Sequence, residues 1–125
     1  RTSYTRYMKK EKHEGGYLLY QDLMYSSLQT NLKAQFRFAY FDTDSYNTRI
    51  YAYENNVLYG YSFPALYDRG FRSYLNLNWK PFTLITLYLK AGLTYYPDKS
   101  TISSSLTQVN DNKLFDLSFQ IRIKL

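Results

Sequence analysis

The stretch that decides the fold is Phe115-Asp116-Leu117-Ser118-Phe119-Gln120-Ile121-Arg122-Ile123-Lys124-Leu125. Phe115, Leu117, Phe119, Ile121, Ile123 and Leu125 fall on one side, and Asp116, Ser118, Gln120, Arg122 and Lys124 on the other. A period of two means a β-strand. Alternation this strict is unusual in a soluble sheet, whose last strand tends to fray and to mix residue types on its outer face. It is the pattern expected where one face meets hydrocarbon over about 9–11 residues and the other faces a watery lumen.

The pattern recurs upstream. Phe71, Leu75, Leu77 and Trp79 oppose Arg72, Tyr74, Asn76, Asn78 and Lys80. Ile85, Leu87, Leu89, Ala91, Leu93 and Tyr95 oppose Thr86, Tyr88, Lys90, Gly92 and Thr94. Leu32, Ala34, Phe36, Phe38 and Tyr40 oppose Asn31, Lys33, Gln35, Arg37 and Ala39. Residues 17–25 read as a strand whose facing stays open, because Gln21 and Asp22 fall on opposite sides, and residues 3–8 read as a weaker sixth strand.

Connection lengths support one direction of travel. Bacterial barrels keep periplasmic turns short and extracellular loops long. With a periplasmic C-terminus, the segment PDKSTISSSLTQVNDN and residues 41–69 are the long external connections, Lys10 to Gly16 is a polar external loop, and the turns near residues 26–30 and 80–83 are the short ones. Within residues 41–69, the segment RIYAYENNVLYGYS reads as a hairpin around Asn55-Asn56, since Asn tolerates the positive φ of tight turns. The expectation is an extracellular β-hairpin near residues 48–63, rising above the membrane. The fold class expected is therefore all-β, an antiparallel up-and-down transmembrane β-barrel or its C-terminal portion. Its 125 residues form a single domain of about six to eight strands, eight if both hairpin arms cross.

Composition agrees. Sixteen Tyr and eight Phe favour pleated surfaces, and Tyr suits a boundary where one end of the ring is dry and the other wet. Tyr17, Tyr25, Tyr40, Phe41, Phe71, Trp79, Tyr95, Tyr96 and Phe115 fall at strand ends, as an aromatic girdle requires. No run approaches the ~18 apolar residues of a membrane helix, and the mean hydropathy of −0.51 is compatible with strands that show lipid only every second residue. The absence of cysteine removes disulfides, thiolate nucleophiles and cysteine metal sites. No signal peptide opens the chain at Arg1, which fits a processed protein or a fragment.

The phrases FDTDSY, RIYAYEN and SFPALYDRGFR, with the terminal FQIRIKL, resemble the C-terminal barrel region of a group of Bacteroidetes outer-membrane proteins. In that group the barrel follows an N-terminal segment with helix-hairpin-helix motifs similar to those of the competence protein ComEA. The resemblance covers most of the chain from about Tyr17 onward. It implies a bacterial outer-membrane location, with further strands upstream in a longer protein. It also implies contact with outer-membrane lipid and with other outer-membrane subunits, and nucleic acid only through the N-terminal segment, which these residues lack.

Chemistry-bearing motifs are sparse. His13, the single histidine, sits in a charged stretch without a second imidazole or a nucleophile. Asp42 and Asp44 have a spacing seen in cation loops but lack the further carboxylates and the glycine, so they read as turn-forming acids. Glu54 and Arg49 read as a surface pair. No GxSxG, HExxH or P-loop occurs, and neither an enzyme nor a cofactor is expected.

The polar face is more informative. Lys33, Arg37, Arg72, Lys80, Lys90, Arg122 and Lys124 face inward on this reading, against Asp116 alone, while Phe71, Trp79, Tyr95, Phe115, Phe119, Ile121, Ile123 and Leu125 face lipid or its boundary. A basic lumen attracts anions, unless those cations pair with acids from elsewhere, such as a plug. The functions that follow are a channel, a transport component or a membrane anchor. The alternative is a soluble lipocalin-like β-barrel binding a small apolar ligand, with the same alternation turned inside out. A single-stranded nucleic-acid binder would need a concentrated basic and aromatic patch, and both residue types are spread over every strand.

Overall fold

The alternating segments become strands in a computed structural model that describes residues 2–9, 12–100, 102 and 111–125, with side chains from Glu14 onward. In chain order they are β1 (Thr2–Lys9), β2 (Lys12–Ser27), β3 (Leu32–Thr43), β4 (Ile50–Tyr51), β5 (Ala65–Leu66), β6 (Arg69–Phe82), β7 (Ile85–Tyr95) and β8 (Lys113–Ile123). Six of them form one antiparallel sheet in the order β1-β2-β3-β6-β7-β8. The chain is therefore all-β and meanders up and down. Among the described residues β1 and β8 are edges that do not pair with each other, so the sheet is open rather than closed.

Cross-strand registers align the side chains into rows. One row on the inner face is Asp22, Arg37, Tyr74, Gly92 and Asp116; the next is Met24, Gln35, Asn76, Lys90 and Ser118. The rows on the other face run through Leu23, Phe36, Leu75, Ala91 and Leu117, and through Tyr25, Ala34, Leu77, Leu89 and Phe119. The open facing of β2 is thereby decided. Leu18, Tyr20 and Asp22 belong to the inner face, and Gln21 is exposed on the outer one.

Two connections differ from expectation. The polar loop expected at Lys10 to Gly16 is largely strand, because β2 begins at Lys12 and Lys9 pairs with Lys12. The register of β6 on β7 shifts between Trp79 and Phe82. Pro81 lies within that irregularity, where its missing N–H breaks the ladder at least cost. The turn then falls at Thr83-Leu84, slightly beyond the expected position. The short turn after Ser27 stands where expected, and its last residue, Asn31, takes a positive φ of 49°.

A hairpin forms in the expected stretch, but its turn and its position are both corrections: the tight turn is closed by the Gly60 N–H on the Val57 carbonyl, with the positive φ at Tyr59, rather than at Asn55-Asn56. Instead of rising away from the strands, residues 44–68 fold back over the inner face. The two-residue strands β4 and β5 pair Ile50 with Leu66 and Tyr51 with Ala65, and Glu54 bridges Ser62. Arms this short cannot cross a bilayer, so the eight-strand alternative is not realised among the described residues. Leu18, Ala39 and Phe41 of the sheet pack against Ile50 and Leu66 of this segment and against Tyr96 and Ile102, forming a small apolar core at one end.

Gly70 sits against that core. A Cβ added there would lie 2.6 Å from Phe41 Cζ and 2.6 Å from the backbone oxygen of Tyr95, and backbone cannot swing aside. Gly70→Ala is expected to cost about 1–3 kcal/mol through overpacking, read as a lowered urea midpoint. An unchanged midpoint would mean that Phe41 and the Tyr95 backbone do not approach Gly70 as described.

Candidate functional site

Folding 44–68 inward delivers Glu54 to the middle of the inner face. Arg72 on β6 grips its carboxylate with both arms, Nε to Oε1 at 2.5 Å and Nη2 to Oε2 at 2.7 Å, while Lys90 on β7 donates to Oε2 at 2.8 Å. The remaining Arg72 nitrogen, Nη1, donates to Thr94 Oγ1 at 2.7 Å and to Asp116 Oδ1 at 3.0 Å. Arg72 is on β6 and Asp116 on β8, two strands away. They meet because the residue between them on β7 is Gly92: a Cβ there would lie 2.6 Å from both Asp116 carboxylate oxygens.

A second grip lies one strand over. Arg37 on β3 donates Nε and Nη2 to the two Asp22 oxygens at 2.5 and 2.7 Å, and its Nη1 donates to the Tyr53 carbonyl of the folded-back segment at 2.7 Å. Its guanidinium lies 4.0 Å from the Tyr20 ring centroid. Three cations thus face three acids, and all three cations are buried. Glu54 itself is only 2% exposed. Burial alone would push its carboxyl up, but the Arg72 hydrogen bonds and charge, reinforced by Lys90, hold it below the ordinary carboxylate range.

Glu54 was expected as a surface partner of Arg49; that is corrected. Arg49 instead donates to the Tyr51 hydroxyl and the Tyr46 carbonyl. The reason is charge: the expected inner face held seven cations against Asp116, and desolvated cations demand counter-ions. Asp22 and Glu54 supply them. Asp42 and Asp44 act as structural acids, Asp42 accepting from Arg69 Nε at 3.0 Å and Asp44 from the Gly15 N–H at 2.8 Å. The His13 side chain lies outside the described residues. No cluster of three or more metal-ligating side chains occurs among the described residues.

Of the seven inner-face cations, Arg37, Arg72 and Lys90 form this cluster. Lys33, Lys80, Arg122 and Lys124 do not join it: they are exposed near the opposite end of the sheet and have no acid partner among the described residues. Between the cluster and that end lies a cavity of about 680 Å³ roofed by residues 55–61. Sequence reasoning missed the cavity, because its roof depends on where the 44–68 segment docks.

The outer face is the second candidate surface. Phe115, Phe119, Ile121, Ile123 and Leu125 are more than half exposed, and Phe71 and Trp79 are exposed as well, while Tyr95 is partly covered. Tyr17, Tyr40 and Phe71 touch in sequence at one end, with centroids 6.0 and 5.2 Å apart, and Trp79 and Phe82 stand exposed at the other. Leu32, Leu77, Leu87, Leu89 and Phe119 line a shallow apolar groove with Trp79. The combination is an antiparallel meander with an apolar outer band and an inner face closed by a salt-bridged segment of its own chain. No protein-family model, curated protein or solved structure matches the chain.

Proposed function

We propose that these strands belong to an outer-membrane β-barrel that serves transport, its passage closed by residues 44–68 and latched through Glu54. The observation that carries this reading is the exposed apolar face. Leu, Ile and Phe stand uncovered on β2, β3, β6, β7 and β8 while charged groups are buried behind them, which is the reverse of a soluble protein and the normal state in lipid. The band has a fitting height: Phe71 to Trp79 spans about eight residues, roughly 26 Å of strand, before tilt shortens it and the flanking aromatics extend it. A lipocalin-like barrel would turn Phe119, Ile121 and Leu89 toward an enclosed centre, whereas here Phe119 and Ile121 are exposed.

The remaining wall charge gives the passage a polarity. Arg37, Arg72 and Lys90 are neutralised by their acids, so the attraction for anions is concentrated at the mouth near Lys33, Lys80, Arg122 and Lys124. With periplasmic short turns, that mouth opens to the periplasm. The resemblance to Bacteroidetes outer-membrane barrels accords with the location, and the lipid, upstream strands and neighbouring subunits it implies are the partners of this proposal.

Trp79, the single tryptophan, provides the test. Reconstituted into vesicles of brominated phosphatidylcholine, its fluorescence is expected to be quenched, more strongly by bromines near the glycerol than by bromines near the bilayer centre, as for a girdle residue. Absence of quenching by both lipids would sink the proposal.

A further inference from the structure

We infer that the cavity beneath residues 55–61 is a binding site for a neutral saccharide. The inference rests on the barrel reading only for how a ligand would reach the site; the site itself is defined by its own wall.

Beside apolar Met24, Ala34, Val57 and Leu58, two kinds of group line the wall. Amides come from Gln35, Asn76 and Asn78 of the sheet and from Asn55 and Asn56 of the roof, and aromatic rings from Tyr53, Tyr59, Tyr61 and Tyr88. Its volume, about 680 Å³, lies in the range of ligand sites. A sugar hydroxyl both donates and accepts, and so does a primary amide, while the C–H face of a pyranose covers a phenol ring. Lys33 is the one ionised side chain on the wall, too little charge to select a polyanion.

Part of this wall has no hydrogen-bond partner among the described residues. The Asn55 amide donates to Gln35, and Asn76 donates to the Asn56 carbonyl at 3.4 Å, so these hold the roof to the sheet. Half-buried Asn78 and Tyr88 make no side-chain hydrogen bond among the described residues, while Tyr59 and Tyr61 stand largely exposed at the cavity mouth, 83% and 81%. Across the strand pair from Tyr88, next to the lining and not part of it, stands Gln120, whose amide oxygen is buried with no partner among the described residues. Polar groups left over in this way beside a cavity are what a ligand satisfies.

The roof supplies an independent observation. The Gly60 N–H donates to the Val57 carbonyl at 2.9 Å, closing a four-residue turn. Its third residue needs a positive φ, and that residue is Tyr59, at 63°, although the neighbouring Gly60 would take such a conformation freely. A bulky residue held there is a genuine outlier, and such strain collects at ligand clamps. At Gly60 a Cβ would sit closely, 3.1 Å from Val57 Cγ2 and 3.2 Å from the Asn56 amide, and those side chains would have to shift slightly. The sequence thus places the strain on an exposed tyrosine at the mouth of the cavity.

The test is calorimetric titration of the detergent-solubilised protein with neutral tetrasaccharides built from glucose, galactose, mannose and N-acetylglucosamine. At least one is expected to bind, and Tyr59→Gly and Asn78→Ala are each expected to weaken it about tenfold. Tyr59→Gly relieves the backbone, so its melting temperature should be unchanged or higher, which separates lost binding from lost folding. Binding by none of the four, or binding indifferent to both variants, would overturn the site. So would binding of gluconate alone that disappears with Lys33→Met, which would reduce the cavity to a cationic patch. Trp79 quenching reads the opposite face, so saccharide binding without quenching would remove the barrel and keep the pocket, and quenching without binding would do the reverse.

Discussion

Replacing Glu54 by alanine is expected to release residues 44–68 from the sheet and to lower stability by about 3–5 kcal/mol, the cost of leaving buried charges uncompensated. Arg72 would keep Asp116 and Thr94, but Lys90, equally buried, makes no other salt bridge among the described residues. The release should be visible as new protease cleavage within residues 55–61 and as a lowered urea midpoint. Replacing Glu54, Arg72 and Lys90 together by Leu, Met and Met should cost much less than the single change, because only the partly exposed Asp116 then loses its cation. Equal losses in the two variants would show that the cluster is not what holds the segment. Acid should mimic the single variant. The folded pKa of Glu54 lies below the unfolded value near 4.5, so its contribution is complete above that value and fades as pH falls through the lower folded one. Pepsin should therefore leave the segment intact at about pH 5 and cut it only at distinctly lower pH; cutting at about pH 6 would implicate another group.

Leu75→Arg should have a comparable effect for an opposite reason. Leu75 lies in the middle row of the outer band, between Phe36 and Ala91, and is more than a third exposed. On a sheet in water, arginine at such a site changes stability by about half a kcal/mol or less. At the midplane of a bilayer the same change costs about 2–4 kcal/mol. Unfolding in phosphatidylcholine vesicles is expected to show the larger figure, and Asn76→Arg, one residue along but on the polar face, a much smaller one. A neutral Leu75→Arg would place this face in water.

Much of the fold was legible because period-two alternation is a local property. The segments 85–95 and 115–125 read from sequence correspond closely to β7 and β8, and the division of their residues between faces is the one observed. The facing of β2 was not legible, since Gln21 and Asp22 are both polar; only the position of Arg37 on the neighbouring strand assigns Asp22 to the inner face. The docking of residues 44–68 was hidden for a related reason. That residues 48–63 hold a hairpin was legible, but the Asn55-Asn56 pair misplaced its turn, which falls at residues 57–60, and whether the hairpin stands up or lies down depends on a charge balance spread over β3, β6 and β7. Seven inward cations against one acid was the available signal, and Glu54, flanked by Tyr53 and Asn55 in a segment otherwise poor in acids, was the residue able to answer it.

Gly92 leaves a last consequence. An alternating strand is protected against slipping by one position, which would turn every side chain over, but a slip of two restores the alternation and goes unpunished by hydrophobicity. Because the guanidinium of Arg72 reaches Asp116 only past the bare α-carbon of Gly92, moving β8 by two would put Leu114 or Ser118 opposite the gap and break the contact. The missing side chain acts as a keyhole, fixing which of several equally greasy alignments the last strand adopts.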